Sequence, residues 1–162
     1  MKRVEFAVLS AAHVHTDAYV RAVGRNPGAE LIGFFDDDPA RAAEFSEKHG
    51  VRAFDSAEEL LGRGPDVAIV CAENTRHAHC VRMAAEHGVD ALCEKPLGVD
   101  REDMLGMLSF CEQRGVRLMT AHCNRYIPAF REAARAVRDG KIGELIAVFA
   151  TNKGTMPGMW FT

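Results

Sequence analysis

Glu94 and Lys95 stand directly after the apolar segment 91–93 and are followed by Pro96. A carboxylate beside an ammonium directly after an apolar strand is an uncommon pair, capable of an ion pair at a carboxyl-end loop, and the proline can take the cis form in a tight turn. A second polar group, Asp36-Asp37-Asp38, follows the apolar segment Ala29–Phe35. Asp36 comes 26 residues after Ser10, near the spacing at which a carboxylate accepts both hydroxyls of a ribose. Asp37 beside it would repel a 2′-phosphate, for which Arg or Lys would be wanted. Asp38, followed by Pro39, reads as a helix cap.

Such residues must be carried to one edge by the elements around them. The chain alternates short apolar runs with segments of helical period: a strand over Val4–Leu9, a helix over 15–25, and a strand over Ala29–Phe35. Asp38-Pro39 opens a second helix that His49-Gly50 closes, and Ser56-Ala57-Glu58-Glu59 is a capping box opening a third. The apolar run 67–71 suits a central parallel strand. A helix over 75–87, a strand over 91–93, a helix over 100–114 and a strand over 116–120 follow, then a helix over Pro128–Arg138 and a longer strand over 145–152. Strands joined through helices by right-handed crossovers make a doubly wound parallel α/β sheet, which binds ligands beyond the carboxyl ends of its strands. Chemistry is therefore expected in the loops after Leu9, Phe35, Cys71, Cys93 and Thr120.

In the first of these loops, Ser10-Ala11-Ala12-His13-Val14-His15 occupies the place where a Rossmann domain puts G-x-G-x-x-G to cradle a pyrophosphate at a helix start. The glycines are absent, and Ser10 and Ala12 are the smallest replacements.

The 162 residues fit one ordinary domain, and a 48% hydrophobic content is enough for its core. A net charge of −3, from scattered acids and bases, favours neither nucleic acid nor an anionic membrane. No apolar run reaches the roughly 18 residues that span a bilayer, and no signal-peptide pattern follows Met1, so a cytoplasmic protein with a small-molecule ligand is expected. Five cysteines without a C-x-x-C spacing read as reduced, mostly buried thiols.

With these motifs in order, the sequence resembles the glucose-fructose oxidoreductase, inositol dehydrogenase and MocA (Gfo/Idh/MocA) family. Glu94, Lys95 and Pro96 match its E-K-P signature. Cys71-Ala72-Glu73-Asn74-Thr75-Arg76-His77 is similar to its T-P-N-x-x-H loop, with Glu73 in place of proline. Arg125-Tyr126-Ile127-Pro128 resembles its R-F/Y-x-P segment, and Gly140-Lys141-Ile142-Gly143 its G-K-I-G turn. The resemblance implies hydride transfer between nicotinamide and a hydroxyl-bearing carbon of a sugar or polyol, with NAD as cofactor in preference to NADP. Lys95 would be the catalytic residue, orienting the substrate hydroxyl and sharing its proton. The cofactor-binding set would be Ser10, Ala11, Ala12, His13, Val14, Asp36, Asp37, Cys71, Ala72, Glu73, Asn74, His77, Glu94, Lys95 and Arg125, with no metal. Glu94 would hold the cofactor or the lysine, and His77 either faces the cofactor or is structural.

The resemblance divides the chain into a dinucleotide-binding domain over 1–125 and, over 126–162, a linking helix and the first strand of an α+β domain cut short. That domain would carry the family's catalytic His in a D-x-x-x-H motif, so the 162-residue chain alone is expected to be inactive, and homo-oligomers would form through the missing sheet. Two other readings compete. One is a nucleotide-binding module without catalysis. The other is a zinc hydrolase, because His13-x-His15 after the first strand resembles the start of an amidohydrolase barrel and His77-x-His79 repeats the spacing; such a barrel needs about 250 residues.

Overall fold

The computed structural model describes residues 2–151. The chain divides into two compact units, Met1–His122 and Cys123–Thr162. In the first, the strands are β1 (Val4–Leu9), β2 (Ala29–Phe35), β3 (Val67–Val70), β4 (Asp90–Cys93) and β5 (Leu118–Thr120), and the helices α1 (Thr16–Arg25), α2 (Pro39–His49), α3 (Ala57–Leu61), α4 (His77–Glu86) and α5 (Arg101–Arg114). The five strands form one sheet in the order β2-β1-β3-β4-β5, all parallel. Outside β2, Ala53 makes a further parallel bridge to Phe34, closed by Phe34 N–H to the Arg52 carbonyl and Phe54 N–H to the Phe34 carbonyl, both 2.9 Å. With this rudimentary strand counted, the order is the one of dinucleotide-binding sheets, with the switch in direction between β1 and β3. The open sheet excludes the barrel that the zinc hydrolase reading requires.

Alternation along the strands feeds two cores. Ala7, Leu9, Ala68 and Val70 pack against Leu60 and Leu61 of α3, Val81 and Ala84 of α4, and Met107 of α5. Val8, Ile69 and Cys71 face the other way, towards Val23 of α1 and Phe45 of α2. The helices begin where the sequence marks them. Asp38 accepts from the Ala40 and Arg41 amides, Ser56 from the Glu59 amide and Asp100 from the Asp103 amide, each tying down a donor that the helix itself leaves unpaired.

Two expectations differ from what forms. The single helix expected over 75–87 is a 3-10 turn, Asn74–Arg76, followed by α4. Neither Asn74 nor Thr75 caps it: Glu73 leads the turn and Arg76 precedes α4, neither with a side-chain capping bond. In the second unit α6 (Pro128–Arg138) forms as expected, but residues 145–151 form no strand. A strand exists only with a hydrogen-bonded neighbour; among the described residues this segment has none, and Ile146 and Phe149 are 94% and 97% exposed. Residues 152–162 lie outside the described part. No helix among the described residues is long and apolar enough to cross a membrane. None of the five cysteines forms a disulfide, and Cys71, Cys80, Cys93 and Cys111 are buried. Burial pushes the Cys71 thiol up to about 12 and that of Cys80 to about 11, so these thiols are inert.

Gly33 sits where β2 shifts register against β1. A Cβ there would lie 2.9 Å from the Arg52 carbonyl and overlap the Phe54 ring. Gly33→Ala must push away the rudimentary outer strand, so a loss of about 2–3 kcal/mol is expected, read as a fall in the urea midpoint at unchanged slope. An unchanged midpoint would mean that the Phe54 segment moves freely.

Candidate functional site

The loop after β1 closes on itself around a carboxylate. Ser10 stands in the left-handed region at φ 67°, which costs a non-glycine residue about 1–2 kcal/mol. Its hydroxyl donates to Asp36 Oδ2 at 3.1 Å and accepts from the Ala12 amide at 3.2 Å, and the Ala11 amide donates to the same Oδ2 at 2.6 Å. Arg41 Nε adds a third bond to Oδ2 at 2.8 Å, while Oδ1 takes the Asp38 amide at 2.9 Å. Asp36 is buried with both oxygens engaged, so it braces the loop; the ribose role expected of it would require it to exchange a partner. The Ser10 and His13 amides donate to Phe35 and Cys71 carbonyls, and the His15 amide meets His13 Nδ1 at 3.2 Å. Of the amides at 10–15, Val14 N–H is the one with no hydrogen bond to a described residue, two residues before α1 begins.

The second focus is Glu94, 1% exposed. Its Oε1 lies 3.0 Å from His15 Nδ1 and accepts from the Tyr19 hydroxyl at 2.7 Å; Oε2 accepts from the Lys95 amide at 2.8 Å. The two segments meet because both are pinned to the end of β3: His13 N–H to the Cys71 carbonyl at 2.9 Å, Glu94 N–H to the Val70 carbonyl at 3.0 Å. Lys95 bonds to Glu94 through its amide and not through its ammonium, which forms no ion pair with any described residue. The Lys95–Pro96 peptide is cis.

The loop after β3 supplies a brace and a charged corner. His77 is fully buried, with Nδ1 2.9 Å from the Pro96 carbonyl and Nε2 3.1 Å from the Ala72 carbonyl. The ring lies between two loops with each nitrogen beside a main-chain carbonyl, so the cofactor-facing role expected of it would require it to exchange one of them. Ala72 is buried as well, whereas Glu73 lies 3.5 Å from Arg41 and 3.8 Å from Arg76. Both arginines also pair with Asp37. With Asp36 and Asp38 beside them, carboxylates outnumber guanidinium groups here by four to two. Next to this corner a cavity of about 170 Å³ is lined by Ser10, Phe35, Asp37, Arg76, Cys80 and Met83 among others.

Arg125 belongs to the second unit, in the turn Cys123–Tyr126, where with Phe130, Arg131, Arg135 and Arg138 it lines a cavity of about 510 Å³. Sequence reasoning missed His15 and Tyr19 as holders of Glu94, and Arg41 and Arg76 as partners of the acidic run. The only local signal was helical spacing, His15 to Tyr19 and Asp37 to Arg41 each being four residues apart.

The sequence pattern of the Gfo/Idh/MocA oxidoreductase family, with the NAD-binding Rossmann fold, matches residues 6–122. The chain is 29% identical to inositol 2-dehydrogenase of Rhizobium meliloti over 152 residues, which is 93% of the chain and 45% of that protein. It is 34% identical to trans-1,2-dihydrobenzene-1,2-diol dehydrogenase of Bos taurus over 152 residues, 91% of the chain and 45% of the relative. An Agrobacterium radiobacter oxidoreductase, solved in complex with NAD+, L-tartaric acid and magnesium, superposes with a TM-score of 0.80 at 25% identity, covering 88% of the chain and 42% of that structure. The chain thus spans less than half the length of these relatives.

Burial works to raise the Asp36 carboxyl, but the bonds from Arg41 and from the Ala11 and Asp38 amides outweigh it and hold the group below its ordinary 3.8. Burial likewise opposes, and Tyr19, His15 and the Lys95 amide overcome it, leaving Glu94 below its ordinary 4.5. A depressed folded-state value stabilises the protein above the unfolded value, and the gain is lost as pH falls through the folded one. Stability should therefore drop as pH falls below about 4. Asp36→Asn should cost about 1.5–3 kcal/mol at neutral pH and flatten the acid decline, in denaturant midpoints followed against pH. Parallel curves for the two proteins would contradict the assignment.

Proposed function

The chain belongs to the Gfo/Idh/MocA oxidoreductase family, with its NAD-binding Rossmann fold, and on that premise we propose that it is the nucleotide-binding part of a cytoplasmic NAD-dependent dehydrogenase acting on a sugar or polyol. Bound nicotinamide supplies the hydride acceptor; the chain's own residues bind, orient and handle the proton. The observation that carries the reading is the Glu94–Lys95 pair. The carboxylate is gripped by Tyr19 and His15 on one side and by the Lys95 amide on the other, while the lysine ammonium, just after β4, forms no ion pair with any described residue. An ammonium so placed can hydrogen-bond the substrate hydroxyl and share its proton as hydride leaves.

The residues present fit the dinucleotide in three respects. The Val14 amide, without a hydrogen bond to a described residue, and the positive end of α1 just after it suit a pyrophosphate. The cavity lined by Leu9, Phe35, Cys80 and Met83 together with Ser10, Asp37 and Arg76 suits an adenosine, with apolar surface for the base and polar groups for its edge. The corner of Asp36, Asp37, Asp38 and Glu73 leaves a negative surplus around Arg41 and Arg76 that disfavours a 2′-phosphate. The glycine-free loop binds through Val14 and the helix end, and Asp36 serves by bracing it. The polyol or sugar class of substrate follows the inositol and dihydrodiol dehydrogenases among the relatives.

Calorimetric titration should show NAD binding about tenfold or more tighter than NADP; equal or tighter NADP binding would overturn the cofactor assignment. With the chain joined to a family substrate domain, Lys95→Ala should lower kcat on the preferred polyol by about two orders of magnitude or more while leaving NAD affinity within a few-fold. A rate near that of the unaltered protein would place the proton transfer elsewhere.

A further inference from the structure

Beyond the dehydrogenase reading, and sharing Glu94 and His15 with it, stands a cluster that this reading does not use in full. His13, His15 and Glu94 each bring a ligand atom to one place, all within 4.8 Å of one another. We propose that these three residues form a binding site for a divalent transition cation of the zinc class.

The donor set is two imidazoles and one carboxylate, the composition of open zinc sites, in which a fourth position is left for water or another ligand. Two imidazoles select an ion of borderline softness over magnesium or calcium, which prefer an all-oxygen shell. The placement is built into the sheet. His13 and Glu94 come from loops on either side of β3, and both main chains are bonded to its carboxyl end, His13 N–H to Cys71 and Glu94 N–H to Val70. His13 is further fixed through its carbonyl, which accepts from the Thr16 hydroxyl at 2.6 Å.

The carboxylate also has the outer partners of a metal ligand. Tyr19 donates to Oε1 and the Lys95 amide to Oε2, which orient the group as the second shell of a metal site does. Glu94 is almost fully buried, and among the described residues its ion-pair partner is His15, not a lysine or arginine. A buried carboxylate is stabilised by a cation on it, and a divalent ion held between Glu94 and the two imidazoles supplies one. His15, with its side chain 45% exposed, gives the ion its way in.

Cobalt(II) reports both occupancy and ligand type. Added to nucleotide-free full chain, it should bind at one equivalent, give the visible bands of a four- or five-coordinate nitrogen and oxygen site without a thiolate charge-transfer band, and be displaced by zinc. His15→Ala and Glu94→Gln should each weaken binding by about 100-fold or more, and Tyr19→Phe by about tenfold, the scale of an outer-shell partner; His79→Ala should change nothing. If Glu94→Gln fails to fold, His15→Ala, at a part-exposed position, decides. Absence of cobalt bands, a thiolate band, or unweakened binding in His15→Ala would overturn the proposal. Because no nucleotide is present, these outcomes say nothing about NAD, and failure of NAD to bind leaves them standing.

Discussion

One buried carboxylate shapes the cleft. Asp36 directly follows β2, and its oxygens take the Ser10 hydroxyl, the Ala11 amide, Arg41 and the Asp38 amide. Glycine would ordinarily let a chain leave β1 by a tight turn at no steric cost. Here a serine adopts that conformation, and the bonds to Asp36 offset its strain. The same bonds draw the amides of Ala11 and Ala12 inward, onto Asp36 and Ser10. Asp36, with both oxygens on its neighbours, thus sets the shape of the loop after β1.

The end of β3 does for the other half of the site what Asp36 does for the first. Its last carbonyls receive His13 and Glu94, so the loops after β1 and β4 meet although their strands are not neighbours. His77 then joins the loops after β3 and β4 through two carbonyls. One ring N–H donates to one of these carbonyls while the ring lies beside the other, between the cis Lys95–Pro96 segment and the Ala72 turn. Lys95 is in this way presented by backbone bonds, and its ammonium forms no ion pair with any described residue.

Local chemistry was legible in the sequence, and contacts across the fold were not. Asp38 with Pro39, and Ser56 with Glu59, announce helix starts because a cap acts within three residues. The apolar run ending in Glu94-Lys95 announces a strand that delivers charge to the sheet's edge. The inward turn of Asp36 could not be read, since its spacing from Ser10 suits a ribose carboxylate and a loop brace equally well; only the positions of Ser10 and Arg41 in space separate the two. Arg76 is 39 residues from Asp37, beyond any periodic rule. The 145–152 segment has the pattern of a strand, but pattern alone supplies no neighbour to pair with.

The central claim, that Asp36 holds the glycine-free loop in place, is tested most directly by amide hydrogen exchange at Ala11. In the unaltered protein this amide should be protected despite its place in a loop, because it donates to the buried Oδ2 at 2.6 Å. In Asp36→Ala its protection should vanish while Val8 and Leu9 in β1 keep theirs. An Ala11 amide that exchanges freely in the unaltered protein, or stays equally protected in Asp36→Ala, would contradict the account.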